Sequence, residues 1–111
     1  MSSLFSALKK ESESVPYEEA LKTISGTWYI KDVSDPVTLE VVDGEVRSKG
    51  NFLTGQTFVG KPRAGKDFVI DIQMGGFPMV ATMKKKGGDL MLLFSNSGIW
   101  TKDSPLKTSK L

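Results

Sequence analysis

The 111-residue chain has no cysteine and no histidine. Without Cys there is no disulfide framework, no thiolate nucleophile and no cysteine-type zinc site. Without His there is no His-dependent triad, no imidazole base and no histidine metal ligand. Long apolar runs are also missing: no stretch approaches the roughly 20 residues of a membrane-spanning helix. The opening segment, Met1 to Glu11, offers only Leu4, Phe5 and Leu8, too short an apolar run for a secretory signal. Excess charge of one sign is lacking as well, since a net charge of +2 is small for a nucleic-acid footprint. What remains is ordinary globular material, 39% hydrophobic and 25% charged, in the length of one domain.

The chain closes on Ser109-Lys110-Leu111. At a free C-terminus this tripeptide is read by peroxisomal import receptors, and it arises by chance in roughly one chain in a few thousand. It follows Pro105 in a polar stretch, which favours an accessible tail. The expectation is an import receptor as partner and a peroxisome or related organelle, such as a glycosome, as location.

Three segments differ in pattern. Residues 1–25 read as one or two short helices: Leu4, Phe5 and Leu8 suit an amphipathic turn. Ser14, Pro16, Glu18 and Glu19 mark the start of a second helical stretch through Ala20 and Leu21. Residues 26–103 change to a period of two, as in Trp28, Ile30 and in Phe68, Ile70, Ile72. Short turns punctuate them, with Asp43-Gly44 the strongest hairpin signal and Lys86-Gly87-Gly88-Asp89 another. About eight short strands without intervening helices predict an all-β meander that closes into an up-and-down antiparallel barrel. Residues 104–111 form the tail with the targeting tripeptide.

The stretch Ile24-Ser25-Gly26-Thr27-Trp28-Tyr29-Ile30 resembles the first motif of the lipocalin and calycin superfamily. The resemblance implies a helical turn leading into Gly-x-Trp on the first barrel strand, with the tryptophan plugging the closed end. It also implies a basic residue near the end of the barrel lying across that tryptophan, for which Lys102 and Lys84 are the candidates. The disulfide, secretory signal and following helix of secreted members are not visible. An avidin-like biotin site would need more aromatic residues than Trp28 and Trp100 provide.

Parity places the turns at 34–36, 53–55, 75–78 and 95–98 at one end, with Phe52, Leu53, Met74 and Phe77 about them. The other end receives Lys61, Arg63, Lys66, Lys84, Lys85 and Lys86. If Trp28 closes the basic end, the uncharged end is the mouth for an apolar ligand. The lysines there suit solubility at hairpin tips, or contact with anionic lipid or an acidic partner. Expected inward positions are Trp28, Ile30, Leu39, Val41, Phe58, Phe68, Ile70, Ile72, Val80, Leu92, Phe94 and Trp100. Arg47 is added as a partner for a ligand carboxylate, a role the resemblance to fatty-acid-binding members implies. A barrel of this size either fills with these side chains or holds one small ligand.

Other constellations carry less. Gly60 to Asp67 approaches the phosphate-binding loop G-x-x-x-x-G-K-[ST], but Asp67 replaces the hydroxyl and a strand follows where a helix should. Asp32 and Asp71 lie in strand patterns but form no recognisable pair. No catalytic or metal-binding set, cofactor, nucleic-acid motif or membrane span is identified. The leading expectation is therefore non-enzymatic binding or transport of a small hydrophobic molecule, such as a fatty acid. The alternatives are a solid-core barrel acting as a protein-interaction or inhibitor module, and a cofactor-free isomerase or hydrolase using Asp, Tyr or Lys.

Overall fold

Backbone hydrogen bonding follows the alternation. In a computed structural model, which describes residues 10, 12–33, 35–49, 57–63, 65, 67–74 and 77–103, the described residues lay out nine strands and, after the first of them, a helix. They are β1 (Glu13–Ser14), α1 (Tyr17–Thr23), β2 (Gly26–Ile30), β3 (Val37–Val42), β4 (Glu45–Ser48), β5 (Val59–Pro62), β6 (Val69–Met74), β7 (Phe77–Lys86), β8 (Asp89–Phe94) and β9 (Ile99–Lys102). From β2 to β9 each strand pairs antiparallel with the next, and β9 pairs back with β2 through Trp28 opposite Lys102 and Ile30 opposite Trp100. The result is a closed, all-β, eight-stranded antiparallel barrel, compatible with the calycin-like architecture, with β1 as an extra strand. Closure leaves the barrel strands without free edges.

Turn chemistry sets the register. Asp43 and Gly44 take φ of 52° and 78°, and Gly87 and Gly88 take 59° and 91°. Two successive left-handed residues give the tight turn whose twist suits a two-residue hairpin. Thus Val42 pairs with Glu45, and Lys86 with Asp89. Pro62 and Pro78 both lie at or next to a strand end, where a missing N–H costs the ladder least.

One strand explains the extra element. β7 pairs with β6 through Phe77–Thr82 and with β8 through Ala81–Lys86, so its lower half has diverged from β6. β1 enters that gap, with Glu13 opposite Lys85 and Ser14 opposite Lys84. Val15 completes the wedge. Its N–H donates to the Met83 carbonyl at 3.3 Å, and its carbonyl accepts from the Phe68 N–H at 3.0 Å. Ser14, expected as a helix cap, is instead in this strand, where its hydroxyl accepts from Lys84 Nζ at 2.9 Å. Pro16 occupies the cap position of α1.

α1 then closes the barrel end at Gly26. Ala20 and Ile24 are fully buried, and the Ile24 carbonyl accepts from Trp28 Nε1 at 2.8 Å. One continuous core joins this plug to the barrel interior through Val15, Trp28, Phe68 and Met83.

Candidate functional site

The interior is the natural place to look for a site in a closed barrel. Strand pairing puts Trp28, Leu39, Phe58, Phe68, Ile70, Ile72, Leu92, Phe94 and Trp100 in one buried cluster, as the alternation predicts. Ile30 and Val41 pack on its margin and are half-buried. Val80 is different. It pairs with the outward-facing Asp71, while its neighbours Met79, Ala81 and Met83 join the core, so it faces out. Both parities of β7 carry apolar residues, and the β-branched side chain is the misleading one. Arg47 also faces out. It pairs across the sheet with Glu40 and Val59, is exposed, and its guanidinium bonds the Glu45 carboxylate. Val46 and Ser48 take the inward positions of that strand.

The inward set missed by pattern reading is Val37, Val46, Ser48, Gly60, Ala81 and Met83. Small or polar residues give weak alternation signals, which is why Ser48, Gly60 and Ala81 escape notice. They matter to the space inside. Phe58, Phe94 and Trp100 form a mutually touching group, with ring centroids 5.3 Å apart for Phe58–Trp100, 4.8 Å for Phe94–Trp100 and 6.3 Å for Phe58–Phe94. Such tilted and edge contacts are favourable ring geometries. Beside them Gly60 has no room for a side chain: a Cβ there would collide with Ile70 Cγ2 and lie 3.2 Å from Phe58 Cε1. The interior at this level is packed to the backbone.

The polar groups of the interior are satisfied internally. Ser48 Oγ accepts from the Phe58 N–H at 2.9 Å, and the Ser48 N–H returns a bond to the Phe58 carbonyl. Among the described residues, no buried side-chain nitrogen or oxygen lacks a partner. Among the described residues, no three or more Asp and Glu side chains come together in a group able to hold a metal ion. No helix among them is long and apolar enough to cross a membrane.

Strand order puts Trp28 and α1 at the same end as Lys61, Arg63, Lys84, Lys85 and Lys86, as parity predicts. Of the two candidates to lie across the tryptophan, Lys102 is directly opposite Trp28 on the neighbouring strand and only 19% exposed, whereas Lys84 is bonded to Ser14. The remaining basic residues are interleaved with acids. Lys85 is opposite Glu13, Lys61 lies 3.9 Å from Glu45, and Arg63 grips Asp71 with two bonds of 2.6 Å. The Arg63 bonds hold the Asp71 carboxyl below its ordinary pKa, and the Arg47 bond does the same to Glu45. Asp32 is in an exposed turn with its carboxylate on Lys31, and it joins no acid pair. Lys66, Phe52 and Leu53, with the side chains of Met74 and Phe77, lie outside what is described, as do the Ser109-Lys110-Leu111 tripeptide and the tail that carries it.

The barrel thus offers an interior tightly packed around Gly60, one end covered by a helix, and a rim at that end where basic and acidic residues interleave. No family model, no curated protein and no solved structure matches this chain.

Proposed function

We propose that this protein works by binding rather than by catalysis, and that its binding surface is on the outside of a solid barrel, as in a protein-interaction or inhibitor module. The observation that carries this reading is the crowding at Gly60, where even a methyl group meets Ile70 and Phe58. An acyl chain threaded along the axis would have to displace the Phe58, Phe94 and Trp100 group, and dense cores resist such insertion. The barrel is then a rigid frame, and specificity belongs to its loops and outer faces.

A second reading keeps a small hydrophobic ligand, such as a fatty acid. Ile30, Val41 and Met79 are only half-buried where they pack against the core. An apolar molecule would rest against such margin residues instead of threading through the aromatic group. Native mass spectrometry of detergent-free protein, combined with titration of a fluorescent fatty-acid probe, separates the two. No co-purifying lipid and no saturable probe binding is the expected outcome. Stoichiometric, displaceable probe binding overturns the solid-module reading in favour of the ligand.

Location is proposed from the terminal tripeptide. Ser109-Lys110-Leu111 at a free C-terminus supports recognition by a peroxisomal import receptor, in a peroxisome or glycosome. Appending one residue after Leu111 to the tagged protein should abolish organellar accumulation, and unchanged location would overturn this assignment.

A further inference from the structure

β6 and β7 part before β7 ends, and the chain fills the fork with three of its own residues. The last ladder pair between them is Val69 opposite Thr82, and at the throat the Met83 N–H still reaches the Phe68 carbonyl at 3.2 Å. Past that point Lys84 and Lys85 pair with β8 on one side, and the side that β6 has left is taken by Ser14 and Glu13. Val15 seals the throat. It is bonded to both Met83 and Phe68, and its side chain lies in the core at 1% exposure. Sheets capture extended peptides in this way: main-chain bonds along a strand edge supply affinity, and a pocket for one side chain supplies specificity.

β1 holds this place lightly. Its ladder is two residues long and both residues are exposed. Among the described residues, the Val15–Met83 bond of 3.3 Å and the Met83–Phe68 bond of 3.2 Å are the longest backbone bonds outside the regular ladders and the helix. Short, exposed pairing of this kind belongs to the low end of local stability. The helix that follows has its own anchors. The Ala20 N–H donates to the Pro16 carbonyl at 2.9 Å, and Ala20 and Ile24 are fully buried. Residues up to Val15 are therefore free to leave while α1 stays seated.

The walls of the fork specify what fits. The innermost position, filled by Val15, is apolar and shared with Phe68 and Met83 in one core. The position before it meets Lys84, whose Nζ donates to the Ser14 hydroxyl at 2.9 Å, and the one before that lies opposite Lys85. Two successive cations favour acidic or hydroxylated side chains there, and the apolar end favours a β-branched one. We propose that the fork is a docking slot for an extended segment of a partner protein, with acidic or hydroxylated residues followed by a β-branched residue, and that β1 is its built-in, displaceable occupant. The inference rests on the reading of the barrel as a binding module and gives that module a binding surface.

The test uses the full chain and a fluorescein-labelled peptide, Glu-Ser-Glu-Ser-Val-Pro, the sequence of residues 11–16. V15A weakens the chain's own occupant, so the peptide should bind V15A saturably and roughly tenfold or more tighter than it binds the unmodified chain, whose slot is filled. Bound peptide should slow hydrogen exchange at the Phe68 amide, the donor that faces the slot. Adding K84E and K85E should weaken the peptide by roughly tenfold, and a peptide with aspartate in place of its valine should not bind. If circular dichroism shows V15A unfolded, V15T takes its place, since it keeps the shape of the side chain. No saturable binding to the folded variant overturns the proposal, and so does equal binding of the aspartate peptide. A dimer of the unmodified chain that the peptide dissolves overturns the partner assignment in favour of a second copy. The fatty-acid probe is titrated separately, so lipid binding would sink the solid-module reading without touching the peptide result, and failure of the peptide would leave that reading standing.

Discussion

At the scale of single residues, the position with the most to say is Gly60. Its value comes from close approach, since Ile70 and Phe58 occupy the space a Cβ would need. G60A should therefore destabilise by about 1–3 kcal/mol, the usual cost of overfilling a tight core. In a domain of this length that is a fall in melting temperature of roughly 4–15 °C. An unchanged melting temperature would reveal slack in the interior and strengthen the ligand reading. Asp71 makes a prediction of opposite kind, at the surface. Its folded pKa is lowered by hydrogen bonds from Arg63, so its contribution is present above the unfolded value and is lost as pH falls through the folded one. D71N should melt slightly below the parent at neutral pH, and the difference should close as pH drops below the ordinary carboxylate value of about 3.9. The two side chains are 49% and 55% exposed, so the effect stays small. A difference that persists at acid pH would point to packing in place of charge. Neither residue is conspicuous in the sequence. A glycine in a strand signals close approach in general but does not say to what, and Asp71 is linked to Arg63 only by the β5–β6 register.

Among elements, legibility follows the strength of the local signal. The alternation from Gly26 onward and the Asp43-Gly44 and Gly87-Gly88 turns are local, so the eight barrel strands are readable without a structure. The Pro16-initiated helix is readable for the same reason. β1 is not, because a two-residue strand has no period and exists only where β7 parts from β6. Val80 is lost to the same limit: in a strand apolar on both parities, the inward face is chosen by partners far along the chain. The closing end depends on the wedge. Val15 is 1% exposed and bonds both Phe68 and Met83. V15A should cost roughly 1.5–3 kcal/mol, the worth of burying a valine side chain. It should also speed hydrogen exchange at the Phe68 amide, which donates to the Val15 carbonyl, well before exchange at Ile72 responds. Equal acceleration at both amides would mean that the wedge is no separate local unit.

The whole molecule joins these pieces through one closed ring and one core. The ring is sealed only when β9 meets β2, a pairing between residues near opposite ends of the barrel sequence. Contacts so distant in sequence are slow to form and cooperative once made. The core runs without a break from Ala20 and Ile24 in the plug, through Trp28, to Trp100 and Phe94. Two tryptophans therefore report two regions of one body, Trp28 at the plugged end and Trp100 in the aromatic group. I72A removes most of a side chain that is 1% exposed and should cost about 2–5 kcal/mol. Against a total stability on the order of 5–15 kcal/mol, that is a large share. Introduced into W28F and W100F separately, I72A should lower the urea midpoint by the same amount in both, with the slope unchanged, because either remaining tryptophan senses the same transition. A plug that melted by itself would give a different result: the reporter at Trp28 would move early and be indifferent to Ile72. Coincident shifts would instead establish that the helix, wedge and barrel stand or fall together, which a rigid module presenting its outer faces requires.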